Sequence, residues 1–420
     1  MVAASAIVVT TGCDDWLTVK NPTVIDAGTV DPVEDAPTFA RSAMNNLFDA
    51  FDDAIVYGAW FSGEAWEGDS FPTRTDVGRR NIDYSETTGT TNSSVNGDVY
   101  APLARAIATG ERVQELLADA SDVSSNINIA RSAFASGYGI QLEAELFCQV
   151  VISSGPHNLG APLTSQQGAA EAEKRFRKVI EVGTANGTTE GKNLAMAAQV
   201  GLARALLFQG KNGEAATEAA KVPADFKFEA PKLDDASYRA ALGNTVYSFT
   251  LARPALVVPP YYRDLKDSRV TSELGPSPAW PLKAQDNFLD FYRQTKYKNW
   301  DADIRLASGL EARYIAAEAK LKAGDPAEAL ALIAERKAAG GADAAAGPGG
   351  STLKQLLDQK ARDFYLEGTH MGDWRRNPDD TPYVPASGTD YYNTSEGGKF
   401  GTQTCMPMPS AEVLNNDNFK

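Results

Sequence analysis

One alanine-rich stretch occurs twice in this chain. Ala203-Arg204-Ala205-Leu206-Leu207-Phe208-Gln209-Gly210-Lys211-Asn212-Gly213-Glu214-Ala215 returns as Ala317-Glu318-Ala319-Lys320-Leu321-Lys322-Ala323-Gly324-Asp325-Pro326-Ala327-Glu328-Ala329. Ala203/Ala317 and Ala205/Ala319 leave room for two helices to approach closely, and Gly210/Gly324 suit the left-handed residue that ends a helix. Glu214-Ala215 and Glu328-Ala329 open a second helix, the later one with Asp325 as N-cap and Pro326 at its start. Each copy is therefore a helical hairpin, which buries its apolar face only by stacking on neighbouring helices. A mainly α fold follows.

The pattern resembles the tetratricopeptide repeat, whose hairpins stack into a superhelical scaffold. Apolar residues at helical spacing predict further helices over Phe39 to about Tyr57, Pro102–Ala118, Ile129–Ile152, Glu171–Val182 and Leu353–Leu366. Repeat helices are thus expected over about 102–222 and 304–367. Two stretches, about 60–100 and 223–303, lack a helical period and are rich in Gly, Pro, Asp and aromatic residues. They read as long irregular loop insertions of the kind that carries function. Neither has the makings of an independent domain, so 39–420 is expected to form one helical unit.

Hydrophobic residues make up 43% of the 420 residues and charged residues 23%, the balance of a chain that folds around a core. A formal net charge of -15 opposes binding to nucleic acid, which needs a basic surface to displace counterions from phosphate. It equally opposes electrostatic adhesion to anionic lipid, which leaves a covalent anchor as the expected membrane attachment. Residues Ala3–Thr11 are small and apolar but fall short of the roughly 20 that span a bilayer. They end in Gly12-Cys13, as at a lipoprotein cleavage site, so 1–12 reads as the remnant of a signal peptide and Cys13 as the acylated residue. No Lys or Arg precedes the apolar run, which points to further residues upstream. Residues 13–38, with Asn21-Pro22, Asp31-Pro32 and Ala36-Pro37, read as an extended tether.

The remaining chemistry is sparse. His157 and His370 stand far apart, and no Cys-X-X-Cys, Gly-X-Ser-X-Gly or phosphate-cradling glycine loop occurs, so no catalytic residue, metal or cofactor is expected. Glu367 and Asp373 resemble the carboxylate pair of a glycosidase, but the arginines around them favour a structural ion network with Arg362, Asp363, Arg375 and Arg376, turned at Gly368. Cys148 and Cys405 leave a disulfide and two free thiols both open, the expected helix around Cys148 favouring a buried thiol. Aromatic side chains in loops are natural platforms for a sugar ring, since they offer large faces with few rotors. The candidates are Trp60, Trp66, Phe71 and Tyr84 in the first insertion, with Trp280 and Trp300 in or beside the second. Glu64, Asp69 and Asn81 are candidate hydrogen-bonding partners.

The order of these parts resembles the SusD/RagB-like outer-membrane nutrient-binding proteins. Ile304-Arg305-Leu306-Ala307 with Glu311-Ala312-Arg313-Tyr314-Ile315-Ala316-Ala317-Glu318-Ala319 is similar to a helix of that family. So is the run from Gln359 to Arg376, in which Glu367, Gly368, Asp373 and Arg376 match while Gln359 replaces an acid, His370 an arginine and Gly372 an aromatic. Met406–Asn415 is similar to the closing segment. The resemblance implies a lipoprotein on the outer face of the outer membrane that captures a nutrient, an oligosaccharide above all, and passes it to a TonB-dependent SusC-like transporter. A tetratricopeptide-type protein-interaction scaffold and a divergent carbohydrate-processing enzyme are the alternative readings.

Overall fold

The computed structural model describes residues 31, 34–83, 94–277 and 280–420, so Cys13, the expected leader, most of the tether, and Tyr84 lie outside the described residues. Among the described residues the helices are α1 (Ala36–Ser62), α2 (Pro72–Gly78), α3 (Ala101–Leu116), α4 (Ile127–Leu146), α5 (Ser165–Asn186), α6 (Thr189–Phe208) and α7 (Asn212–Ala219). They continue as α8 (Arg239–Leu242), α9 (Thr245–Leu251), α10 (Pro260–Arg263), α11 (Gly309–Lys322), α12 (Ala327–Ala339), α13 (Thr352–Asp363), α14 (His370–Arg376) and α15 (Ser410–Asn415). Short strands punctuate them: β1 (Trp66–Glu67), β2 (Gln149–Val150), β3 (Leu163–Thr164), β4 (Lys227–Ala230), β5 (Leu256–Val257), β6 (Ser272–Leu274), β7 (Tyr292–Gln294) and β8 (Ile304–Ser308). The fold is mainly α, as the repeats require.

Local signals set the helix ends. Side chains of Asn126, Thr188, Ser308 and Ser351 accept the first free N–H groups of α4, α6, α11 and α13, and Thr164 with Gln167 forms a capping box on α5. Gly210 and Gly324 have φ of 78° and 94°, the left-handed ends expected of the two repeat copies. Helix α12 starts at Ala327 with Pro326 in the cap position, and Asp325 still accepts the Ala327 N–H at 3.1 Å.

Stacking follows repeat order. Helices α3 to α7 each pack on the next, α7 packs on α11, α11 on α12 and α12 on α13, with α1 laid across α3 and α4. The two repeat hairpins are therefore spatial neighbours, and the chain between them leaves the stack after α7 and returns at β8. Antiparallel pairs fasten that excursion: β4 with β8, β5 with β1, and β6 with β7.

Three sequence expectations need correction. Helix α1 starts at Ala36 and runs to Ser62, so it takes residues from the expected tether and puts Trp60 in the helical core rather than in a loop. The first insertion is correspondingly shorter, and a π-helical turn at Val95–Tyr100 leads from it straight into α3. Helix α4 ends at Leu146, not Ile152. Cys148 lies beyond that end, its N–H bonded to the Met406 carbonyl, and it forms a disulfide with Cys405.

Charges buried between helices hold the stack together. Arg204 on α6 bonds Glu145 of α4 through Nε at 2.7 Å, approaches Glu311 of α11 at 3.4 Å, and donates to the Gly368 carbonyl at 2.9 Å. Arg376 bonds Glu318 of α11 at 3.0 Å and Asp373 at 2.6 Å, and Asp373 also receives Lys360 of α13 at 2.6 Å. Burial alone would raise the Glu318 carboxyl, yet Arg376 and Lys322 outweigh it and hold the pKa far below the ordinary range. Removing one partner of such a pair strands the other in low dielectric. Arg204→Ala is therefore expected to lose about 3–5 kcal/mol in urea denaturation. Arg313→Ala, which breaks the exposed pair with Glu335, should lose less than about 1 kcal/mol.

Candidate functional site

Three segments distant in sequence meet on one side of the stack. Residues 66–71 follow α1, residues 253–257 and 280–292 belong to the second insertion, and residues 391–393 come from the C-terminal tail. Strand β1 pairs with β5, Gly68 donates to the Ala255 carbonyl at 2.8 Å, and Asp286 donates to Gly68 at 2.9 Å. The tail joins through Tyr392, whose hydroxyl bonds both backbone polar atoms of Glu67, and through Asn393, which donates to Asp286 at 2.7 Å.

The junction is aromatic. Trp66 stacks on Tyr392 with centroids 4.4 Å apart and planes 10° from parallel, and meets Tyr261 edge-on at 6.3 Å. Trp66, Trp280, Tyr292 and Tyr392 pack around a small apolar cluster of Val257, Ala284, Leu289 and Phe291. The Arg293 guanidinium covers the Trp280 ring at 3.2 Å and pairs with Glu273 at 2.9 Å. Beside them Phe71 is 48% exposed, backed by Arg74 and Arg253 at 5.2 and 5.3 Å from its centroid. Arg74 is fixed by Asp69 at 2.7 Å, whereas Arg253 meets Asp69 only at 3.6 Å and is 34% exposed. An open ring beside a guanidinium with donors to spare suits a polyhydroxylated ligand, which presents apolar ring faces and hydroxyl acceptors together.

The remaining sequence candidates lie elsewhere or serve the interior. Trp60 is 1% exposed and packs against Tyr57 and Phe249, each at 5.1 Å, so it is a core residue rather than a platform. Trp300 has a separate neighbourhood, edge-on to Tyr247 at 5.5 Å and covered by Arg239 at 4.9 Å. Asp69 and Glu64 are buried, so neither faces a ligand, while Asn81 is exposed. Glu64 instead accepts the N–H of Leu366 at 2.9 Å, where φ is 56°. Burial pushes the Glu64 carboxyl up to about 8, with the Leu366 hydrogen bond opposing. Tyr392, Tyr261 and Arg253 were not singled out from the sequence. The aromatic content of the tail was visible there, but not its return to residues 66–71.

Glu367 and Asp373 are each held between two cations, Glu367 by Lys296 and Arg305, Asp373 by Lys360 and Arg376. Arg362 bridges Asp358 and Asp267, Asp363 receives Arg269 and Arg336, and Arg375 caps the end of α4 by donating to the Phe147 carbonyl at 2.8 Å. These charges brace α13 and α14 against the rest of the molecule.

Solved structures share this architecture almost end to end. Surface glycan-binding protein A from Bacteroides fluxus superposes with a TM-score of 0.66 at 15% identity, over 94% of this chain and 97% of its own. A SusD-like carbohydrate binding protein from Bacteroides vulgatus gives 0.63 at 15% identity, over 91% and 96%. A SusD/RagB family protein from Bacteroides thetaiotaomicron gives 0.63 at 11%, over 90% and 95%. This chain has the SusD-like fold. Neither a protein-family model nor a curated protein matches its sequence. In this chain the stacked hairpins are the frame, and the insertions and tail meet on one side of it.

Two expected outcomes separate frame from surface. Trp60→Ala should cost about 3–5 kcal/mol of stability, whereas Phe71→Ala should leave the denaturation midpoint within about 1 kcal/mol of the parent. For Glu64, the folded value of about 8 exceeds the ordinary 4.5, so its stabilising, protonated form is fully present below about pH 4.5 and is lost as pH rises to about 8. Glu64→Gln keeps a neutral acceptor for Leu366. The stability of the parent relative to this variant should therefore fall between pH 5 and pH 9, and a parallel pair of melting curves across that range would contradict the assignment.

Proposed function

We propose that this chain is a lipid-anchored, surface-exposed glycan-binding protein that captures an oligosaccharide and delivers it to a TonB-dependent SusC-like transporter. The observation that carries the reading is the likeness, over more than nine-tenths of both chains, to structures described as carbohydrate-binding and glycan-binding. The junction supports it with what a sugar needs: an open Phe71 face, partly exposed Trp66 and Trp280 rings, and Arg253 as a donor. The Cys148–Cys405 disulfide accords with an oxidising compartment outside the cytosol. Cys13 supplies the anchor, and the stacked hairpins are the surface assigned to the transporter. Catalysis has no part in this reading.

The test is calorimetry of the soluble protein against a panel of oligosaccharides, with the triple variant Trp66→Ala, Phe71→Ala, Trp280→Ala beside it. Affinity for the best glycan should drop at least tenfold, about 1.4 kcal/mol, with the far-ultraviolet spectrum unchanged. A protein-interaction scaffold would be indifferent to all three substitutions. Radiolabelled palmitate should enter the full-length chain and be lost from Cys13→Ala, and the transporter should co-purify with the acylated form.

A further inference from the structure

The C-terminal tail folds beside α13 and α14 to enclose a surface cleft of about 410 Å³, apart from the aromatic junction. Arg80 stands in its wall. The side chain is 3% exposed, and its backbone has φ of 56°, a conformation rarely adopted by a residue with a Cβ. Its guanidinium lies between the rings of Trp374 and Phe400, 5.2 Å from each centroid, and donates to the Pro385 carbonyl at 2.6 Å, while Nε has no partner among the described residues. Among the described residues no carboxylate comes within ion-pair distance of it.

Arg375 likewise bonds only carbonyls and a hydroxyl, but the isolation of Arg80 contrasts with the most deeply buried arginines of the helical frame. Arg204, Arg362 and Arg376 are buried to a similar degree, and each meets two carboxylates. A buried guanidinium without a counter-charge is costly, and two aromatic faces offset only part of that cost. Lys354, from the first turn of α13, also lines the cleft without an ion pair among the described residues. Among the described residues the single carboxylate in the lining is Asp379, which is exposed and leaves the pair of cations in excess. Exposed hydroxyls of Thr402 and Thr404 complete the wall.

The geometry points to this cleft as the site for the carboxylate of an acidic sugar, with Arg80 and Lys354 as its counter-charges and the two threonines bonding the ring hydroxyls. The sugar part rests on the glycan-binding reading above, and the charge part rests on Arg80 and Lys354 alone. A guanidinium is suited to a carboxylate because its planar fork can present two parallel N–H donors.

The experiment titrates the full soluble chain with a uronic-acid trisaccharide and with the same trisaccharide after its carboxyls are reduced to alcohols. The acidic form should bind at least tenfold tighter, weaken as salt rises from about 50 to about 500 mM, and quench the Trp374 fluorescence. Lys354→Glu, a change at the rim, should reduce that affinity at least tenfold, and Arg80→Gln should abolish it while Arg80→Lys retains part. If Arg80→Gln does not fold, Lys354→Glu decides. Equal affinity for the two trisaccharides, or an unchanged Lys354→Glu, overturns the acidic-sugar site and leaves the glycan-binding reading standing. Failure of both trisaccharides overturns this site as well, and the neutral members of the oligosaccharide panel then decide the broader reading separately.

Discussion

Arg204 is the charge around which the helical frame is registered. One guanidinium joins α4, α11 and the loop at Gly368, elements that are remote from one another along the chain. A shift of α6 by one turn against either neighbour would leave Glu145 or Glu311 buried without its cation, at a cost of several kcal/mol. Apolar packing alone tolerates such slippage better, because alanine-rich faces look much alike at successive turns. The second network, from Lys360 through Asp373 and Arg376 to Glu318, repeats the constraint between α13, α14 and α11.

The same frame fixes the surroundings of three residues in the 359–376 run. Gly372 lies so close to the Glu145 carboxylate that a Cβ there would stand 2.8 Å from its Cδ, so an aromatic at this position is incompatible with the Glu145–Arg204 pair as built. His370 sits in a buried slot between the Ser62 hydroxyl and the Pro382 carbonyl, each 3.0 Å from a ring nitrogen, where burial pulls its pKa down. Gln359 accepts from Arg269 at 3.0 Å and donates to Asp358 at 2.8 Å, which joins it to the ion network without adding a charge. The motif is a brace, and among its described residues Trp374 alone lines the proposed cleft.

The aromatic junction comes from segments that the frame expels. The second insertion leaves between two stacked hairpins and is pinned at its edges by short antiparallel pairs, so its aromatic residues are presented on a fixed base. The tail then crosses both insertions, tied by the Cys148–Cys405 bridge at one place and by Tyr392 at another. A ligand at the junction would therefore touch chain from three regions.

Helical hairpins, their glycine ends and their stacking were legible in the sequence because they depend on local spacing, on the left-handed freedom of Gly210 and Gly324, and on the alternation of buried and exposed positions. The structural role of the charged run was legible too, since opposite charges crowded beside a turn have little alternative to pairing. Other outcomes were decided only by tertiary contacts. Trp60 reads as a loop aromatic until α1 is seen to continue under Phe249, and Cys148 reads as a helical thiol until Met406 ends up beside it. The pairing of Trp66 with Tyr392 and the isolation of Arg80 from any described carboxylate depend on where the tail returns. Local sequence encodes torsional preference and periodicity, whereas proximity between residues hundreds of positions apart is settled by the packing of the whole chain, in which buried charges such as Arg204 and Glu318 find partners on remote elements.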